Sequence, residues 1–211
     1  CPQTGKTHDP SSIRGIVPPS DARDQFGRPL KDLRISVTDR CNFRCRYCMP
    51  RERFSENHTF LPKRAFLSFE EIEKVVRSCM SLGLEKVRIT GGEPLLRKDL
   101  PRLIEMLSGL GIEIALTTNA SLLKKEAKAL HSAGLTRVTV SLDALDPELH
   151  RTMSDSNISV ESVLEGIDEA IRVGLSPVKI NCVVQKGVNE EEVSKLVNHF
   201  RHTGVIVRFI E

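Results

Sequence analysis

The sequence predicts an α/β fold, a six-stranded parallel partial (β/α)6 barrel, and three observations carry that expectation. One phrase occurs five times: a stretch of helical periodicity, a glycine, then a short β-branched run ending in polar residues. A sixth run, Leu33 to Val37, precedes them and supplies a first strand. The distinctive polar groups all fall just after strands. Strands alternating with helices imply right-handed parallel crossovers. A barrel brings the carboxyl-terminal strand ends to one mouth, whereas an open sheet spreads them along an edge, so polar groups after every strand favour the barrel.

The first strand is followed by Cys41, Cys45 and Cys48. The five later runs are Gly83 to Thr90, Gly111 to Thr118, Gly134 to Ser141, Gly174 to Asn181 and Gly204 to Glu211. Each opening glycine can take the left-handed conformation that stops a helix. Between the strands, Leu100, Leu103, Ile104 and Leu107, and again Val160, Val163, Leu164, Ile167, Ala170 and Ile171, carry the spacing of amphipathic helices, five in all. Ser68 with Glu71 forms a capping-box pattern, and Asn189 with Glu192 a weaker one. The rim groups in order are the cysteines, Gly91-Gly92-Glu93-Pro94, Thr117-Thr118-Asn119, Ser141-Leu142-Asp143, Asn181 and Glu211.

With 211 residues and 39% hydrophobic content the chain can build one sizeable core. Residues 26–211 are expected to form it, with residues 1–25, rich in Pro, Ser, Asp and Arg, as a flexible leader. A net charge of +3 falls short of a nucleic-acid binder, and no apolar stretch resembles a signal peptide or membrane span. Three closely spaced cysteines do not suit a secreted disulfide framework. The expected setting is reducing: cytoplasmic, or the mitochondrial matrix in a eukaryote. A homodimer is left open.

Cys41, Cys45 and Cys48 have C-x3-C-x2-C spacing. Thiolates hold iron–sulfur clusters, and a 4Fe–4S cube ordinarily takes four. Three local ligands would leave one iron free to chelate a small molecule through an amine and a carboxylate. Zinc would want a fourth Cys or His, and the nearest downstream histidine is His58. Cys79, on an apolar helix face, and Cys182, inside a strand, read as core residues, and Cys1 as an incidental thiol.

Tyr47 completes a C-x3-C-x-aromatic-C motif, and in this the sequence resembles the radical S-adenosylmethionine superfamily. Leu33 through Pro50, Arg88 to Pro94, Val140 to Asp143, Lys179 to Val184 and Arg208 to Glu211 are more closely similar to the GTP 3′,8-cyclase family. That family performs the first step of molybdopterin synthesis, converting GTP to (8S)-3′,8-cyclo-7,8-dihydroguanosine 5′-triphosphate. A reduced cluster splits S-adenosylmethionine, and the 5′-deoxyadenosyl radical abstracts the ribose 3′ hydrogen before ring closure onto guanine C8. The resemblance implies that Cys41, Cys45 and Cys48 bind the cluster. It implies that Tyr47, Gly91, Gly92, Glu93, Ser141 and Asn181 bind S-adenosylmethionine, and that Arg34, Arg88, Thr117 and Lys179 bind GTP. No residue is assigned a catalytic proton or hydrogen transfer.

Arginine's fork suits phosphate oxygens, while the plainer role for Arg88 is an ion pair with Glu93. The resemblance also implies a flavodoxin or ferredoxin as electron donor and cyclic pyranopterin synthase downstream. It further implies a second 4Fe–4S cluster in a C-terminal region beyond residue 211, so this chain alone is expected not to complete turnover. Ala120 stands where the family usually has glycine, and Ser154 to Asn157 lack a basic pair often seen there. The competing readings are a radical peptide maturase, which needs no triphosphate-facing cations, and a ferredoxin-type carrier, for which an open iron is a liability.

Overall fold

The computed structural model describes residues 22–55 and 57–211. Six strands, β1 (Asp32–Ser36), β2 (Lys86–Thr90), β3 (Glu113–Thr118), β4 (Arg137–Ser141), β5 (Val178–Val183) and β6 (Ile206–Ile210), form one parallel sheet in sequential order. Among the described residues β1 and β6 do not pair, so the sheet is a partial barrel. The crossovers are α1 (Phe69–Met80), α2 (Leu100–Ser108), α3 (Leu123–Ser132), α4 (Pro147–Ser154), α5 (Val160–Arg172) and α6 (Glu192–Phe200).

Six helices stand where five were expected. The extra one is α4, which Asp146 caps by accepting from the Leu149 N–H, with Pro147 at its first position. Its eight residues are too few to show a clear period in the sequence. The Ser68–Glu71 capping box is present in both directions. The Asn189–Glu192 pattern is not a capping box. Asn189 Nδ2 donates to the Asp143 and Val183 carbonyls at 2.9 Å, and Glu192 Oε2 accepts from the Leu145 and Asp146 N–H groups. Both are 1% exposed and tie the loops after β4 and β5 together.

The repeated phrase folds as its composition requires. Gly83, Gly111, Gly134, Gly174 and Gly204 all have positive φ. At Gly134 space adds to the requirement, since a Cβ would stand 2.6 Å from the Ser108 Cβ.

Alternation along the strands divides the sheet into two chemically distinct faces. Val87, Ile89, Ile114, Leu116, Val138, Val140 and Ile180 point outward and are buried with Leu103, Leu107, Leu130, Val163, Ile167 and Leu196 of the helices. The intervening residues point inward and are mostly polar, Ala115 being one exception. The register aligns Arg34, Arg88, Ala115 and Arg137 in one row, and Thr90, Thr117, Thr139 and Lys179 in the next. Residues 1–21, most of the expected leader, lie outside the described residues. From Arg23 the chain makes a bridge to Pro29, closed by Asp24 accepting from Phe26 and Arg28.

Candidate active site at the carboxyl-terminal rim

The cysteine loop leaves β1 at Ser36 and is fastened to the turn after β2. Gly92 N–H donates to Thr38 O and Glu93 N–H to Arg40 O, both at 2.7 Å. This contact explains the two glycines. A Cβ at Gly91 would lie 2.7 Å from Thr38 O, and one at Gly92 would clash with the Arg40 carbonyl. The close backbone approach is between two loops of the protein, while both glycines also line the cavity beside the cysteines.

Side chains hold the loop at further points. Arg44 donates to the Cys41 carbonyl at 2.6 Å, to that of Phe43 at 2.9 Å and to that of Phe54 at 3.2 Å. Asn119 donates to Asn42 Oδ1 at 2.8 Å, and Asn42 donates to Ser121 Oγ at 2.8 Å. The Cys48 and Met49 N–H groups both donate to Cys45 O at 2.9 Å, curling the loop so that three cysteines face one space.

Burial pushes the Cys41 thiol up, and it pushes Cys45 up to about 12 with help from the Asp143, Cys41 and Cys48 charges. Such sulfurs ionise when a cation replaces the water they have lost, which is the electrostatic demand of a metal centre. The three cysteines line one cavity and are the ligand type an iron–sulfur cluster takes, while no three His, Cys, Asp or Glu side chains among the described residues are grouped to hold a single metal ion.

Two buried carboxylates organise the rim. Glu93, 1% exposed, accepts from Leu95 N–H, Thr118 Oγ1 and Asn119 N–H at 3.0, 2.7 and 2.7 Å. Burial raises its pKa, and these three donors oppose the rise. The alternative ion pair with Arg88 is not formed, because Arg88 lies 3.7 Å from Asp32 instead. Glu93 thus binds two strand ends together beneath the glycine turn. Asp143 accepts the Tyr47 hydroxyl at 2.6 Å and the Val183 N–H at 2.8 Å, linking the cysteine loop to β4 and β5.

Of the sequence-predicted residues, Cys41, Cys45, Cys48, Tyr47, Gly91, Gly92, Glu93, Ser141, Arg34 and Thr117 line one cavity. Arg88, Lys179 and Asn181 do not line it. They lie on the same inner face, with Arg88 beside Arg34 and Asn181 beside Ser141. Lys179 shows how the inner cations converge: burial lowers its pKa, and Arg137, Arg208, Arg88 and Lys86 lower it further. Lys86, Arg88 and Arg137 are partnered by Asp32 or Glu113, whereas Arg34, Lys179 and Arg208 have no acidic partner among the described residues. Sequence reasoning left Lys86, Arg137 and Arg208 out of the site, although their alternation with outward apolar residues was the available signal. His150, Met153 and Ser154 also line the cavity, and nothing in the pattern of α4 marked them.

Comparison with known proteins agrees with this geometry. The radical SAM superfamily model matches residues 35–200. A GTP 3′,8-cyclase of Acidothermus cellulolyticus is 54% identical over 90% of this chain and 53% of its own length. One of Staphylococcus carnosus is 53% identical over 89% and 56%. The chain thus spans about half the length of these curated relatives. Among solved structures, Streptococcus suis SuiB bound to S-adenosylmethionine superposes with a TM-score of 0.70 at 24% identity, over 85% of this chain and 40% of SuiB.

Proposed function

Because the chain belongs to the radical SAM superfamily, we propose that it is the radical-generating portion of a GTP 3′,8-cyclase acting in the first step of molybdopterin synthesis. One observation carries the reading. The cavity holding Cys41, Cys45, Cys48 and the Gly91-Gly92 turn is also lined by Arg34, which, with Lys179 and Arg208 on the same sheet face, has no acidic partner among the described residues.

Cys41, Cys45 and Cys48 would hold a 4Fe–4S cluster, and Tyr47, Gly91, Gly92, Ser141 and Asn181 would surround S-adenosylmethionine. When bound, this pair supplies one-electron reductive cleavage and hence a 5′-deoxyadenosyl radical. Glu93 and Asp143 position the loops through their hydrogen bonds. Arg34, Arg88, Lys179 and the newly apparent Arg137 and Arg208 bind the triphosphate, with Thr117 between them and the rim. Guanidinium groups pair bidentately with phosphate oxygens, and unneutralised cations gain most from doing so.

On this reading a flavodoxin or ferredoxin supplies the electron, and cyclic pyranopterin synthase consumes the product. Cys79 and Cys182, the other described cysteines, pack against or within the core, so a second cluster would draw on residues outside the described ones. A peptide substrate would give the inner cations no role.

Anaerobic reconstitution with iron and sulfide is expected to load about four irons per chain. Loading that survives Cys41→Ala, Cys45→Ala and Cys48→Ala together would overturn the cluster assignment. No helix among the described residues is long and apolar enough to cross a membrane.

A further inference from the structure

The cysteine loop contains a half-buried cation that the fold surrounds with neutral groups. Arg44 stands between Cys41 and Cys45, and its backbone N–H donates to the Ser154 carbonyl at 2.8 Å. Its guanidinium is given to backbone: Nη1 donates to the carbonyls of Cys41 and Phe43 at 2.6 and 2.9 Å, and Nε to that of Phe54 at 3.2 Å. The Phe60 ring packs against it, with the guanidinium carbon 5.7 Å from the centroid. Arg51 and Arg151 pair with Asp155 and Glu148, whereas Arg44 has no acidic partner among the described residues.

Bracing alone does not account for this arrangement. A neutral amide can hold carbonyls, while a half-buried charge without a counter-charge is costly to desolvate. The position calls for an anion, and the cysteine thiolates are the groups at hand. Arg44 Nη1 is one hydrogen bond from the Cys41 backbone, which places the charge within the span of a single residue from that sulfur. Burial pushes the Cys41 thiol up and the Glu93 and Cys48 charges add to the rise, whereas the Phe43 N–H and the Arg44 charge oppose it. Arg40 and Arg46, on the same loop, are exposed, where water and salt screen their charge. Reduction of a cluster adds negative charge to a site that already holds three thiolates, with the Glu93 and Asp143 carboxyl groups lining the same cavity. A fixed cation there favours the state with the extra electron.

Resting on the proposed cluster site, we propose that Arg44 is a positioning residue that also tunes the cluster: its unneutralised charge, fixed against the Cys41 backbone, favours uptake of an electron by a cluster on Cys41, Cys45 and Cys48 and so raises its reduction potential.

The test is a redox titration of the anaerobically reconstituted protein, with the reduced cluster followed by electron paramagnetic resonance and iron content measured alongside. R44Q keeps a hydrogen-bond donor and removes the charge. Its equilibrium constant for taking up the electron is expected to fall about tenfold, a midpoint about 59 mV lower. R44K keeps the charge without the fork, and should stay within about threefold of the unsubstituted protein in the same constant. An unchanged midpoint in R44Q, or R44K as low as R44Q, would overturn the assignment alone, because a brace that only shapes the loop responds to both substitutions alike. The midpoint is read from the clusters that form, so partial loading does not obscure it. Should R44Q take up no iron, R44M supplies the neutral arm, and if neither loads, R44K decides: a constant lowered about tenfold overturns the assignment. Failure of the unsubstituted protein to load iron overturns the cluster reading and this assignment together.

Discussion

The two faces of the sheet are made from the same strands, often from adjacent residues, and they do opposite things. On the outer face Val87 and Ile89 are 0% exposed and belong to the hydrophobic core. Between them Arg88 points to the inner face, in register with Arg34 and Ala115 and 3.7 Å from Asp32. A strand delivers alternate residues to opposite sides, so one ten-ångström layer can be a core on one side and a charged surface on the other. The contrast teaches that stability and recognition are separable here to a degree unusual for residues so close in sequence. The outer face stores folding energy, and the inner face carries electrostatic repulsion that a bound anion would relieve.

The largest break in that contrast is expected at Ile89. Ile89→Ala leaves a cavity between the sheet and its helices and should cost about 2–5 kcal/mol, read as a lower urea midpoint. A loss below about 1 kcal/mol would mean the outer face repacks freely. Next comes Glu93, which links the faces at the rim. In Glu93→Gln an amide NH2 must confront the Thr118 or Asn119 donor, costing about 1–3 kcal/mol and loosening the cysteine loop. Reduced iron uptake should accompany the stability loss, and full uptake would separate the glycine turn from the cluster site.

The inner face should respond in the reverse sense. Lys179→Met is expected to leave stability within about 0.5 kcal/mol of wild type or above it, while GTP affinity falls about tenfold. Its pH dependence has a defined sign. Because burial and then neighbouring cations depress the folded pKa, the unfolded chain keeps this proton to higher pH. Stability therefore rises as pH climbs through the depressed value toward the ordinary lysine range, and Lys179→Met removes that slope. Urea titrations at several alkaline pH values measure it, and a falling slope would show that Lys179 is stabilised by an acid instead.

The smallest effect belongs to Ala120, buried with φ of 61°. Ala120→Gly removes the left-handed penalty at some cost in chain entropy, for a gain of about 0.5–1 kcal/mol in the thermal or urea midpoint. A loss would mean the Ala120 methyl contributes more packing than its backbone costs.

Much of this was legible without coordinates. The glycine-and-strand phrase specified five strands and the run Leu33 to Val37 the first, because period and backbone freedom are local properties. Spacing specified the cysteine loop for the same reason. Ala120 was visible as an oddity, and its positive φ supplies the cause.

What the chain could not show is which distant groups meet. That Glu93 closes on Thr118 and Asn119 rather than Arg88, that Asn189 and Glu192 brace loops rather than cap a helix, and that Tyr47 reaches Asp143 are facts of long-range geometry. So is the burial of His150 with a bare nitrogen. Sequence by itself determined the six strands, five of the six helices and the cysteine motif, since these depend on neighbours a few residues apart. Only the tertiary structure decided the partners of the buried polar groups, because desolvation and hydrogen-bond satisfaction depend on everything that surrounds a side chain.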